Sequence, residues 1–341
     1  MRLLRSEISL VVLTAASLIF SGCSSKKYFE PAQVFSADGA ASSYGGEIVD
    51  QSRDGATLKG GNYISKRGIS SINLGEGYRY LSESGTYVLA SNPKGSLKII
   101  KKSTGATLRT VPMTVPIVAA SIKNGTIAYI LNDNTFGIYS VGSNKKVFEN
   151  KSEITYAIDT RAATPMYIDN LVVLPMLDGK LIVVDKNDPD NATIIYLSSE
   201  AVFNNVIYLS RFGDTMVSAT PKKLITIGTE GQNELRANIS DVALLNGYIY
   251  LFTKEGEVIK LDSALNEKAK KKFKFAHFSA STVVNGRVYG LDQQGSLIVL
   301  NSALTKYKIY DIGEVKTPVY ISGERLYKDG KIIHLSKLGY E

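Results

Sequence analysis

The sequence predicts an all-β fold, a β-propeller of four-stranded antiparallel blades with eight blades preferred over seven. Two observations carry the prediction. Turn-forming dipeptides recur in pairs with a nearly constant internal spacing, and the pairs themselves recur at 84, 124, 169, 213, 246, 285 and 322, the period of a propeller blade. Between the turns lie short apolar runs of strand length, with almost nothing at helical spacing except a mildly helix-prone stretch at 264–272.

Each element follows from that repeat. The clearest turn pairs are Asn246-Gly247 with Glu255-Gly256 and Asn285-Gly286 with Gln294-Gly295. Asn124-Gly125 with Asp133-Asn134 and Asp169-Asn170 with Asp178-Gly179 share their spacing, and Ser84-Gly85 with Lys94-Gly95 is one residue longer. Gly213-Asp214 with Pro221-Lys222 and Ser322-Gly323 with Asp329-Gly330 are shorter variants. Asn-Gly suits a two-residue hairpin turn because both positions need positive φ, so the runs at 248–252 and 257–261 should pair as a hairpin. A preceding strand is often led in by Pro, at Pro116, Pro165 and Pro318, where a missing backbone donor does least harm. A following strand is seen at 106–110 and 306–310, which completes four per unit. A degenerate eighth unit is expected around Gly60-Gly61 and Arg67-Gly68, with 63–65 and 69–73 as paired strands. The last unit ends after 332–335, leaving an N-terminal strand to close the ring and remove its open edges.

The N-terminus has a different character. Arg2 and Arg5 precede an apolar run at 8–20, then Ser21-Gly22 leads into Cys23, the only cysteine. The run is too short to span a bilayer and has the layout of a secretory signal. The expected organisation is a lipoprotein signal peptide at 1–22, a flexible tether at 23–45 rich in Ser, Ala, Gly and Lys, and the propeller at 46–341.

Composition narrows the chemistry. The chain has 341 residues, 44% hydrophobic and 21% charged, with one Cys, two His and no Trp. A disulfide framework and a Cys/His metal centre are therefore excluded, and no metal site is expected. His277 and His334 fall in different units. The net charge of +8 is mild and spread along the chain, which does not describe a nucleic-acid groove. The Asp/Asn-rich stretch 185–191 is like a calcium loop but places Pro189 where a ligand should fall, so it reads as a solvated turn. No phosphate-cradling glycine pattern opens a helix. The basic run 268–274 falls on what should be an outermost strand, where lysines discourage edge pairing. Tyr129, Tyr250 and Tyr289 read as blade-packing residues.

Two sets of residues carry a family resemblance. Phe20-Ser21-Gly22-Cys23 resembles the bacterial lipobox, which implies acylation of Cys23, and Ser24 after it implies retention on the periplasmic face of the outer membrane. The units at 249–273 and 288–310 resemble PQQ-type propeller repeats. Together they resemble the BamB-like family of outer-membrane assembly lipoproteins, over roughly 46–341. That resemblance implies a non-enzymatic scaffold, with no cofactor, that binds the POTRA domains of a BamA-like barrel insertase and guides unfolded outer-membrane proteins. It touches the membrane only through its lipid and binds no nucleic acid. It also implies a partner contact through Arg161-Ala-Ala-Thr-Pro165, with Arg161 as the charged contact, Ile158 as an apolar neighbour, and Thr164 and Pro165 completing the segment. The family's loop in the next blade is not reproduced by 203–207. A quinone-dependent dehydrogenase would need broad aromatic surface and commonly a vicinal cysteine pair, and the chain has neither Trp nor a second Cys. A ligand-binding or enzymatic propeller using its central channel, and a surface lipoprotein binding host or envelope polymers, are the alternative functions.

Overall fold

The computed structural model describes residues 28–155, 158–159 and 161–341. The expected signal peptide at 1–22 and Cys23 lie outside the described residues, as does Tyr156. Eight antiparallel sheets follow one another along the chain, and each is built from four strands. Numbered in chain order, blades 1 to 8 occupy 48–70, 79–112, 117–151, 166–196, 208–236, 239–272, 278–311 and 320–334. The eight-blade expectation holds. Blade 1 is the degenerate unit, with Gly55–Leu58, Tyr63–Ser65 and Gly68–Ser70 in place of longer strands, and its last strand is shorter than the expected 69–73.

Blade 6 shows why the sequence reads as it does. Its strands are Ile239–Leu245, Tyr248–Thr253, Glu257–Leu261 and Glu267–Lys272, from the channel outward. The two middle strands have a neighbouring blade on each face, so they are apolar in continuous runs instead of alternating. The outermost strand is mostly solvent-facing and carries the basic run, as expected. The helix-prone stretch is overridden here, because its residues complete a sheet whose other strands are already buried.

The core is not one mass. A separate apolar cluster sits at each of the eight blade junctions, including that between blades 8 and 1, where Ile48, Leu58 and Ile64 meet Tyr320 and Tyr327. Tyr129, Tyr250 and Tyr289 are buried in these junctions.

Closure corrects the expected tether. Within 23–45, Ala41–Ser43 is the outermost strand of blade 8, antiparallel to Lys331–His334, with Ala41 opposite Ile333. Phe35–Ser36 adds a fifth strand to blade 7, parallel to Tyr307–Asp311. Ala37 and Ala40 are buried between them. Small and polar residues read as linker, yet a short strand laid on a finished sheet needs no apolar pattern of its own. The N-terminal closure strand is as expected, and the tether gives way to ordered chain well before residue 45.

The turns divide into two kinds. The Asn-Gly first turns, at 124–125, 246–247 and 285–286, have positive φ at both residues, 51° and 72° at Asn285-Gly286, as a type I′ hairpin requires. Second turns such as that ending at Gly295 bend through an ordinary turn and finish on a left-handed Gly, at φ +95°. The chain leaving the outermost strand then crosses directly over that Gly, with Ile312 N–H donating to the Gly295 carbonyl at 3.0 Å. Phe273 crosses Gly256 in the same way at 2.8 Å.

Candidate partner-binding surface

The segment 152–165, which carries the chain from blade 3 into blade 4, holds the residues singled out above. Arg161 is folded back onto its own loop, its side chain 28% exposed. Its Nε donates to Asp159 Oδ1 at 2.7 Å and its other arm pairs with Oδ2, a two-pronged contact inside one loop. The guanidinium also lines a cavity of about 370 Å³ at one mouth of the channel, with Ser52, Arg53, Asp241, Pro318 and Tyr320. Ile158 packs against the junction of blades 3 and 4. Thr164 and Pro165 line a second cavity, of about 510 Å³, with Asp54, Lys66 and Ser121. The four residues therefore share a loop without forming one patch.

What joins this loop to its neighbour is Asn205. Its side-chain oxygen accepts from the Asp159 N–H at 2.7 Å, and its amide donates back to the Asp159 carbonyl at 2.9 Å. Ala163 N–H donates to the Val206 carbonyl at 2.9 Å, so the loop after blade 3 and the loop after blade 4 form one surface. Asn204 fixes the second loop from below, donating to the carbonyls of Asp178 and Ser198 at 2.9 and 3.1 Å.

Large apolar side chains in and next to these two loops are exposed. Phe203 is 50% exposed, Val202 51%, Ile154 66% and Tyr196 67%. Phe203 has φ +52°, a left-handed backbone that costs a bulky residue of order 1–2 kcal/mol. The two asparagines that follow hold it there. Leu265, Phe275 and Leu304 share this left-handed backbone, so what sets Phe203 apart is that its ring is half exposed. The sequence signal was available: a Val-Phe pair between polar Ser-Ser-Glu and Asn-Asn. The family resemblance does not point to it, because 203–207 departs from the family's loop.

Burial works against the charged form of Asp159, but the Arg161 fork outweighs it and holds the carboxyl below the usual carboxylate range. A depressed folded-state value contributes stability that is present above the unfolded value near 3.9 and lost as pH falls through the lower folded one. A Phe203→Trp variant, in a chain with no other Trp, should therefore show constant emission from neutral pH to about pH 4 and a shift only below it. A transition near pH 6 would disprove the dependence on Asp159.

The channel centre is bridged. Arg53, on the first-turn loop of blade 1, donates through Nε to the Ile207 carbonyl and through its terminal nitrogen to Asp241 Oδ1, both at 2.8 Å. Ile207 leads into blade 5 and Asp241 lies on the inner strand of blade 6, so the side chain crosses the ring axis. Asp241 Oδ2 accepts from Ser281 Oγ of blade 7 at 2.8 Å, and the Arg53 guanidinium lies 5.5 Å from the Tyr208 ring centre. Burial opposes the guanidinium's charge, and Asp241 more than restores it. Of the two histidines, His334 bonds Ser42 at 2.9 Å across the closure, while the His277 backbone N–H donates to Asp292. Within the stretch 185–191, residues 186–187 form a hairpin turn in which Asp185 accepts from the Asn187 N–H, and 188–191 open the next strand.

No family model matches the chain. Two curated relatives, the plasminogen-binding protein PgbB of Helicobacter pylori strains J99 and 26695, are each 28% identical over 311 and 302 residues, covering 78% and 75% of this chain. The chain spans only 58% and 56% of their length. Among solved structures, BamB from Moraxella catarrhalis superposes with a TM-score of 0.68 at 15% identity, covering 86% of this chain and 98% of that one. In fold, the chain is a BamB-like propeller.

Proposed function

We propose that this chain is a non-enzymatic scaffold that holds protein partners on the joined loops after blades 3 and 4. Acyl chains on Cys23 hold it on the periplasmic face of the outer membrane, where it serves the machinery that inserts β-barrel proteins. One observation carries the reading: an exposed, backbone-strained Phe203 on a frame locked by Asn204, Asn205 and Asp159. The rigid ring presents this apolar tip without paying ordering entropy at the moment of binding. The BamB-like fold supports the assembly role, with a POTRA domain of a BamA-like insertase as the docked partner and unfolded outer-membrane proteins as passing ones. Arg53 across the channel argues against the rival in which a ligand occupies the centre.

The test is photo-crosslinking from position 203 in intact cells. Recovery of the insertase is expected, and Phe203→Ala should weaken that complex by about 10- to 100-fold, the range for an aromatic anchor. Recovery of other envelope components and none of the insertase would overturn the role. A second reading rests on the relatives: the same surface binds plasminogen, as the name of PgbB states for that protein. Purified chain retained on immobilised plasminogen, and released by Phe203→Ala, would favour it.

A further inference from the structure

We propose that the outer edges of blades 6 and 7 form a docking face for an anionic membrane surface, setting the propeller on its rim. The inference uses the Cys23 anchor of the function proposed above for its orientation. Its charge and geometry belong to the described residues.

The described residues begin at Tyr28, five positions after Cys23. Phe29, six positions after it, packs edge-on against Phe273 of the blade 6 to blade 7 connection at 6.1 Å. Six residues reach at most about 20 Å when fully extended. An acylated Cys23 would thus keep this edge of the ring within a short distance of the headgroups, where a 23-residue tether would have left every face equally free.

The same edge is basic and amphipathic. The outermost strand of blade 6 and the residues after it carry Lys268, Lys270, Lys271, Lys272 and Lys274, and the fourth strand of blade 7, Tyr307–Asp311, adds Lys308. Lys268 is paired with Asp262, Lys272 with Glu257, and Lys270 with both Glu257 and Glu267 of its own strand, so half of this charge is matched. The other three lie over rings: Lys271 is 4.6 Å from the Tyr307 centre, Lys274 5.0 Å from Phe275 and Lys308 4.0 Å from Phe35. Lys308 also donates to the Glu341 carbonyl oxygen at 3.1 Å. A groove of about 500 Å³ runs between the two blades, lined by Phe29, Phe35, Phe273, Lys274, Tyr307 and Lys308, with Glu30 at its margin. Tyr28, Val34 and Tyr307 beside it are exposed. Lysines over half-buried rings at Phe35 and Phe275 and an exposed one at Tyr307 are the side-chain mixture that settles at a lipid headgroup layer.

Charge complementarity therefore selects an anionic bilayer as the occupant. Blade 3 stands four positions from blade 7, across the ring. A propeller resting on blades 6 and 7 would lift the loops after blades 3 and 4 away from the membrane, toward partners.

The test uses residues 23–341, which contain every described residue, with Cys23→Ser so that no acyl chain contributes. The chain should co-float with vesicles of phosphatidylglycerol and phosphatidylcholine, not with phosphatidylcholine alone, and added salt should release it. The triple variant Lys271→Gln, Lys274→Gln, Lys308→Gln should partition roughly a hundredfold less, at about fivefold per lysine. The control Lys145→Gln, Lys146→Gln, Lys151→Gln removes equal charge from the opposite blade and should bind as the parent does. Equal losses in both triples, or no loss in the first, would overturn the proposal. Mass spectrometry of the cell-derived protein reports the anchor separately: unmodified Cys23 would remove the anchor while leaving the vesicle result standing.

Discussion

Replacing Arg53 with Met should destabilise the ring by about 3–5 kcal/mol, the cost of leaving one member of a buried ion pair without its partner. Arg53 and Asp241 side chains are only 23% and 12% exposed, so water reaches the pair only through the cavity that they line and replaces the lost guanidinium poorly. The change strands three acceptors at once: Asp241, whose remaining side-chain partner is Ser281, the Ile207 carbonyl, and the face of Tyr208. Urea denaturation at neutral pH is the measurement. The double variant Arg53→Met, Asp241→Leu should regain most of the loss, because an apolar pair of similar bulk replaces a desolvated charge pair at little net cost. A single-variant loss below 1 kcal/mol would mean that the cross-channel contact is incidental.

Gly295→Ala should cost about 3 kcal/mol or more, whereas Gly286→Ala should cost about 1 kcal/mol, although the two glycines sit in neighbouring turns of one blade. At Gly286 an added Cβ meets nothing within 4 Å, so only the left-handed backbone is penalised. At Gly295 it would stand 2.1 Å from the Gly313 carbonyl oxygen and 2.6 Å from its carbon, on backbone at φ +95°. That oxygen belongs to the crossing strand and cannot rotate away as a side-chain tip would. Soluble yield and denaturation midpoint of the two variants, compared side by side, decide the matter; equal effects would show that turn conformation alone governs both sites.

This contrast also shows where the sequence was readable. Hairpin turns are written locally, because Asn285 and Gly286 take positive φ whatever surrounds them, and the blade period followed from such pairs. The reason for Gly at the second turn is a backbone arriving from 18 residues away at Gly313, which no local rule reveals. Arg53 and Asp241 are 188 residues apart and meet only because the ring closes. Phe203 was visible as an apolar residue in a polar loop, but its display depends on Asn205 gripping Asp159 from another blade. The lipobox residues are legible and lie outside the described structure. Strands 35–36 and 41–43 were hidden because their partners, not their composition, make them strands.

The bond between Ser42 and His334 joins residues 292 positions apart, and it has a consequence for the order of events during synthesis. The half of the clasp made first must wait, unpaired, until nearly the whole polypeptide has emerged. Closing so long a loop is entropically slow, and contacts of this separation form late in folding. A chain cut short before blade 8 would leave sticky margins on both sides of the gap. Proteolysis of nascent or truncated forms should therefore drop abruptly only when the final blade is present.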